Sequence, residues 1–229
     1  NTIIESNCII GCPAKAAKWK PLIIGQDSHV RSHSIIYQGS TFGPHFVTGH
    51  KVFARENCTA GSYFQLGTST ILDGRATFGN CVRIHSCCII SEDTLVGDFV
   101  YFLPRVQMVT DPFPPSEILL GITIKDLTVI AAGALLYPGI TLGMGSFIAA
   151  ASQVKHSVPD IHCVAGSPAK TFATIDKYVL PSYGAFHPWI KRIVDKYPEE
   201  FHLLIEKKVK MLDEIIQKRR DETKLGVRN

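Results

Sequence analysis

The sequence has no apolar run approaching the ~18 residues needed to cross a bilayer, which argues against a membrane-spanning helix. It opens NTIIESNCIIGCPAK, with no charged stretch leading into a long apolar one, so no secretory leader is expected. It has little excess charge of either sign. Its 24 basic and 20 acidic residues leave +4, which is weak support for nucleic-acid binding and suits a site for anionic small molecules. It also lacks paired CxxC motifs, and its seven cysteines are an odd number. A disulfide scaffold is therefore disfavoured and a reducing, cytoplasmic setting is expected, where the Asn57-Cys58-Thr59 sequon is a coincidence. What the chain does have is 45% apolar residues among 229, enough for a sizeable core.

Those apolar residues recur at an unusual interval. Every sixth residue from Ile24 to Met108 reads Ile24, Val30, Ile36, Phe42, Thr48, Ala54, Ala60, Leu66, Leu72, Phe78, Ile84, Ile90, Val96, Phe102, Met108. Only Thr48 is polar, a pattern that chance would give roughly once in 10³ trials at this composition. Four residues after each comes a second column, Ser28, Ser34, Ser40 and onward to Val106, whose members are mostly small. One large and one small inward residue per six suit the interior of a narrow coil. Gly25, Gly43, Gly61, Gly79 and Gly97 recur every eighteen residues, so three hexads make one triangular turn. Alternation of period two and a helical period both fit this stretch worse.

The register fails after residue 113 and returns at Ile124, Ile130, Leu136, Leu142, Ile148 and Val154. Looping out ten residues, 114–123, restores Gly143 to the eighteen-residue phase. The expected architecture is an all-β solenoid of about seven coils over 24–166, interrupted by that loop. At ~4.8 Å per stacked strand it is about 30 Å long. Residues 1–23 are expected as an irregular cap and 167–229 as a helical extension. Within the extension, Pro198 should open a helix whose apolar face carries Phe201, Leu204, Ile205, Val209, Leu212, Ile215 and Ile216.

The end of the coil, Val154-Lys155-His156-Ser157-Val158-Pro159 through Cys163-Val164-Ala165-Gly166-Ser167-Pro168-Ala169-Lys170, resembles the closing signature of the hexapeptide-repeat acyltransferases. The stretches Thr48-Gly49-His50-Lys51-Val52, Val82-Arg83-Ile84-His85-Ser86 and Met108-Val109-Thr110-Asp111-Pro112-Phe113-Pro114 resemble the branch that acetylates nucleotide-linked amino sugars for surface polysaccharides. Lys125 departs from the pattern by standing where the eighteen-residue phase expects glycine. The resemblance implies a left-handed parallel β-helix and acetyl-coenzyme A as cosubstrate. It also implies a homotrimer with three sites in clefts between neighbouring prisms. A flat prism face with a protruding loop suits cyclic symmetry as well.

Acetyl transfer to an amine needs a neutral nucleophile and a group to take its proton, a task histidine performs near neutral pH. His85 directly follows inward Ile84, and His50 lies two after inward Thr48, so both should point outward from the same prism face. The resemblance puts the thioester near the level of His85, which becomes the first candidate for general base or amine-orienting residue. His50 is the second and could instead touch the sugar nucleotide. Asp111, which begins the loop, could hold the amine or a sugar hydroxyl, or simply start an Asp-Pro turn. The Ala131-Ala132-Gly133 and Ala149-Ala150-Ala151 segments occupy equivalent places in adjacent coils, so Ala132, Gly133 and Ala150 offer a small-residue groove for coenzyme A. By analogy with the family, Lys155 and Lys170 would meet its phosphates. Cys58 and Cys88 fill the small inward column, and no base pairs with Cys81 or Cys87, so a cysteine nucleophile is not expected.

Other readings remain at this level. The period encodes scaffold rather than substrate, so an O-acetyltransferase acting on a sugar or other small hydroxyl is open. A γ-type carbonic anhydrase uses the same scaffold with three zinc-binding histidines. His45, His50 and His85 lack the expected order, so no metal site is expected. A non-enzymatic solenoid scaffold is disfavoured by the closing signature and the small-residue groove.

Overall fold

A computed structural model describes residues 1–224. Its centre is a parallel β-helix with three flat faces, built mostly from two-residue strands that start every six residues along the chain and recur every eighteen on one face. The first face stacks ten strands, the second eight and the third seven. The eighteen-residue register is visible in the ladders: Gln65 lies opposite Arg83, Arg83 opposite Tyr101, and Leu66 opposite Ile84.

The two inward columns explain why six residues suffice per face. The large column, from Val30 to Val154, forms one buried core, with Phe42 and Phe46 stacked at 4.3 Å and Phe64 and Phe78 at 4.6 Å. The small column works on the corners. Ser28 Oγ donates to the Gly25 carbonyl at 2.7 Å and accepts the Phe46 N–H at 3.1 Å, and Ser34 does the same with Arg31 and Val52. Buried corner amides are thus satisfied by hydroxyls that an apolar residue could not supply. One residue at nearly every corner sits in the left-handed region, among them His45, Tyr63, Cys81, Phe99 and Gly133. The glycine column has a different cause. A Cβ on Gly43 would come within 2.7 Å of the Gly61 backbone in the next coil. Lys125, at the same phase, directs its ammonium to Asp160 at 3.0 Å.

The ends differ from the sequence expectation. Residues 1–23 are not an irregular cap. Ile3–Ile4 pairs with His29–Val30, and Ile9–Cys12 with Ile35–Tyr37, so the chain begins with most of another coil. The six-residue step from Ile4 to Ile10 is intact. Eight extra residues then bulge out around the short helix Lys15–Ala17, which shifts the column and hides the coil. About eight turns result. The later loop is a ten-residue excursion whose ends meet where Leu120 N–H donates to the Thr110 carbonyl. Ile122 and Thr123 already belong to the coil, because Ile122 is fully buried in the core.

The segment after residue 166 is not wholly helical. Ala169–Thr174 turns back antiparallel to His162–Gly166, because Gly166, at φ +99°, lets the chain reverse. A small hairpin, Val179–Leu180 with Gly184–Ala185, and a 3₁₀ segment, Trp189–Lys196, follow. After Pro198 and one turn of 3₁₀ comes α1, His202–Lys224; the expected extension's last residues, 225–229, lie outside the described residues. Its Ile205, Val209, Leu212 and Ile216 pack with Phe99, Leu127, Met144 and Ile161 on the corner before the first face, a second core outside the coil. Lys208 fastens the same contact by bridging Asp98, at 3.1 Å, and Asp126.

Candidate active site

A cleft of about 270 Å³ opens on the first face and the corner that follows it. Its floor is one register column running Arg31, Gly49, Gly67, His85, one residue per coil. Neither glycine can be replaced freely, since a Cβ on either would strike the next coil's backbone at Thr68 or Ser86. The bare floor is therefore a by-product of coil stacking. The wall is the outward column of the same strands, Gln65 and Arg83, closed by Tyr101. Trp189 of the C-terminal extension stands edge-on to Tyr101 at 6.3 Å.

His85 lies at the end of the bare floor. Its Nε2 is 3.0 Å from the Tyr101 hydroxyl, and its rings tilt against that tyrosine at 5.2 Å. Partial burial holds its pKa below 6.5, and the Arg83 charge two residues away adds to the shift. The neutral imidazole is thus favoured, as a proton acceptor needs.

His50 does not share this cleft. It sits one register position further round the corner, above Thr68 and Ser86, with Nδ1 2.9 Å from Ser32 Oγ and 3.9 Å from Glu5. The same Glu5 binds His29 Nε2 at 2.8 Å, so His50 belongs to a polar cluster on the first coils. Asp111 is engaged by its own loop. Its carboxylate accepts the Phe113 N–H at 2.9 Å, the Ser116 N–H at 2.8 Å and the Ser116 hydroxyl, which together hold its pKa below the usual range. That is the geometry of a turn-holding residue.

Ala132, Gly133 and Ala150 lie exposed along the corner that carries His85, two and three coils further on. A Cβ on Gly133 would meet nothing within 4 Å, so the surface there is open. The two lysines are not together. Lys170 extends from the strand that caps the first face, whereas Lys155 follows the second face and lies over the Tyr137 ring at 5.2 Å. Lys155 therefore shares its corner with the loop, across the second face from His85.

Arg31, Arg83, Gln65 and Tyr101 were missing from the sequence reading. The available signal was the eighteen-residue step, which puts Gln65, Arg83 and Tyr101 in one outward column beside His85. Burial pushes the thiols of Cys58 and Cys88 up to about 11 and of Cys81 and Cys163 to about 12, which suits packing and not nucleophilic chemistry. A larger cleft, about 540 Å³, separates α1 from the third face, but its charged groups pair with each other or with Lys208. Among the described residues, no group of histidines, cysteines and carboxylates is arranged to hold a metal ion.

No protein-family model matches the sequence. A Schizosaccharomyces pombe protein provisionally named an acetyltransferase is 34% identical over 112 residues, 45% of this chain and 52% of that protein. The serine acetyltransferase of Bacillus subtilis is 46% identical over 57 residues, 25% of this chain and 26% of its own. The chain thus spans about half the length of the yeast relative and about a quarter of the bacterial one. Among solved structures, the UDP-N-acetylglucosamine acyltransferase of Campylobacter jejuni aligns over 90% of this chain and 94% of its own at a TM-score of 0.51 and 14% identity. At that identity the likeness concerns the fold, a left-handed parallel β-helix.

Proposed function

By repeat and by fold the chain belongs to the hexapeptide-repeat acyltransferases, and from that premise we propose that it transfers the acetyl group of acetyl-coenzyme A to the amine of a nucleotide-linked amino sugar. The observation that carries this reading is His85: a neutral-leaning imidazole, held by Tyr101, at the end of a cleft with a bare floor. In the tautomer that serves as base, Nε2–H donates to the Tyr101 oxygen and Nδ1 keeps its lone pair. As the acceptor nitrogen bonds to the thioester carbon and the carbon–sulfur bond breaks, Nδ1 takes the proton that the nitrogen loses. The proton then leaves with the thiol or to water. General-base assistance of this kind contributes about 10²–10⁴-fold.

The open corner at Ala132, Gly133 and Ala150 suits the pantetheine arm, which needs close access to backbone groups. Lys155 and Lys170 suit the phosphates only if a second copy brings them together, since they flank the second face on opposite sides. That face has the composition for it. Its outward residues Ile35, Phe53, Ile71 and Ile89 form a half-exposed apolar stripe. Three prisms packed around that stripe put the His85 corner of one copy beside the loop and Lys155 of the next. A homotrimer with shared clefts follows, with the small-molecule acceptor entering between copies and no role for nucleic acid. The balanced charge and the free thiols fit a cytoplasmic enzyme. No helix among the described residues is long and apolar enough to cross a membrane.

The test is thiol release from acetyl-coenzyme A with a panel of nucleotide-linked 3-amino and 4-amino sugars, run beside serine and a neutral sugar. Turnover on an amino sugar supports the reading. Turnover only on a hydroxyl acceptor would replace N-acetylation with O-acetylation; serine is included because it is named for the Bacillus subtilis relative.

A further inference from the structure

The cleft at His85 contains two guanidinium groups and no carboxylate among its lining residues. Of the eight described arginines, three reach a carboxylate and Arg31, Arg83, Arg105, Arg192 and Arg219 reach none; Arg31 and Arg83 share this cleft. Arg55, Arg75 and Arg220 each reach a carboxylate, at 3.0, 2.9 and 2.8 Å. Arg83 reaches none among the described residues. Its Nε donates to Gln65 Oε1 at 2.9 Å, which fixes the plane of the fork and leaves both terminal nitrogens without a protein acceptor there. The guanidinium also lies 5.8 Å above the Tyr101 ring, so it is held from two sides. Arg31 spends one terminal nitrogen on the Thr48 carbonyl at 2.8 Å and likewise has no carboxylate. The acidic residue at that end, Glu5, is occupied by His29 at 2.8 Å and by the Ser32 N–H at 3.0 Å.

A half-buried arginine oriented by neighbours yet lacking a counter-charge is costly unless an anion completes it, and the planar fork matches phosphate and carboxylate. The placement also has a length. Arg31 and His85 stand in one column, three coils apart, hence about 14 Å at ~4.8 Å per coil. Gly49 and Gly67 keep the space between them empty.

We propose that Arg83, with Arg31 at the far end of the glycine floor, recognises an oxyanion on the acceptor, so that the acceptor carries a phosphate or carboxylate besides the group that is acetylated. This rests on the transferase reading and deepens it. Arg83 holds the acceptor beside His85, and Arg31 selects acceptors long enough to span the floor. A diphosphate alone is too short to span the floor, so it engages Arg83, and the remainder of a longer acceptor reaches Arg31.

Isothermal titration of the full-length protein with inorganic pyrophosphate, uridine diphosphate and succinate tests this, each with and without saturating coenzyme A. Wild-type protein should bind at least one of these anions, and uridine diphosphate more tightly than succinate if the source is a nucleotide. Arg83→Met should weaken binding by about tenfold to a hundredfold, the worth of a charged hydrogen bond, while Arg83→Lys keeps part of it. Circular dichroism and unchanged coenzyme A affinity confirm that the variants are folded. Binding of no anion, unchanged anion affinity in folded Arg83→Met, or competition between the anions and coenzyme A would each overturn the proposal. Loss of anion binding in Arg83→Met by a protein that binds no acetyl-coenzyme A would support the anion site and sink the transferase reading instead.

Discussion

Two features around His85 favour its uncharged form: first the partly buried wall, then the Arg83 guanidinium. Its folded pKa lies below 6.5, so the base form is filled on the alkaline side of that lowered value. The rate of acetyl transfer should therefore fall on an acid limb centred below pH 6.5, and Arg83→Met should move the limb upward by removing a repelling charge. A pH–rate profile of kcat checks this, and a limb that stays in place in Arg83→Met would mean that another group titrates. The outward setting of His85 was legible from its place after Ile84. Its partner Tyr101 lay within reach of the eighteen-residue step, but Trp189, which packs on that tyrosine from the far end of the chain, left no local signal. His50 and Asp111 have partners within the fold that the repeat does not show. Both are polar at outward positions, but Ser32 and Glu5 engage the first and the loop backbone takes the second, which the period alone does not reveal.

At the scale of elements, the coil was the most legible part, since a hexad repeat reports an interior that only two columns of side chains can fill. The interruptions were less so. A bulge that adds eight residues to the step from Ile10 to Ile24 disguised the first coil as a cap, although Ile4 and Ile10 already kept the period. The extension was read as helical because its charged residues and apolar spacing dominate after Phe186. Its strands are short and pair by backbone hydrogen bonds that leave little pattern. The apolar face of α1 was read correctly. Leu212 is 2% exposed and rests on Gly145, where a Cβ would come within 2.8 Å of its Cδ2. Leu212→Ala should lower the stability of the chain by about 2–5 kcal/mol, the usual cost of an unfilled buried site. Chemical denaturation followed by circular dichroism would show it, and a change below about 1 kcal/mol would mean that α1 adds little to the coil.

For the whole molecule, the distribution of chemistry over two corners is the informative feature. His85, Ala132, Gly133 and Ala150 follow the first face, while the loop, Tyr137 and Lys155 follow the second. One prism cannot bring these sets together, whereas the proposed ring of three would join them at every contact. The decisive measurement is complementation between two inactive chains. One carries His85→Asn, and the other has residues 112–118 replaced by a Gly-Gly turn, a short bridge because Thr110 and Leu120 already meet. Co-expressed in equal amounts and purified through a different tag on each chain, the mixture should regain about a quarter of wild-type turnover. Each shared cleft then draws an intact His85 corner and an intact loop independently, at about one half each. Mixed assemblies that form but show no more activity than either parent would contradict a cleft shared between neighbouring copies.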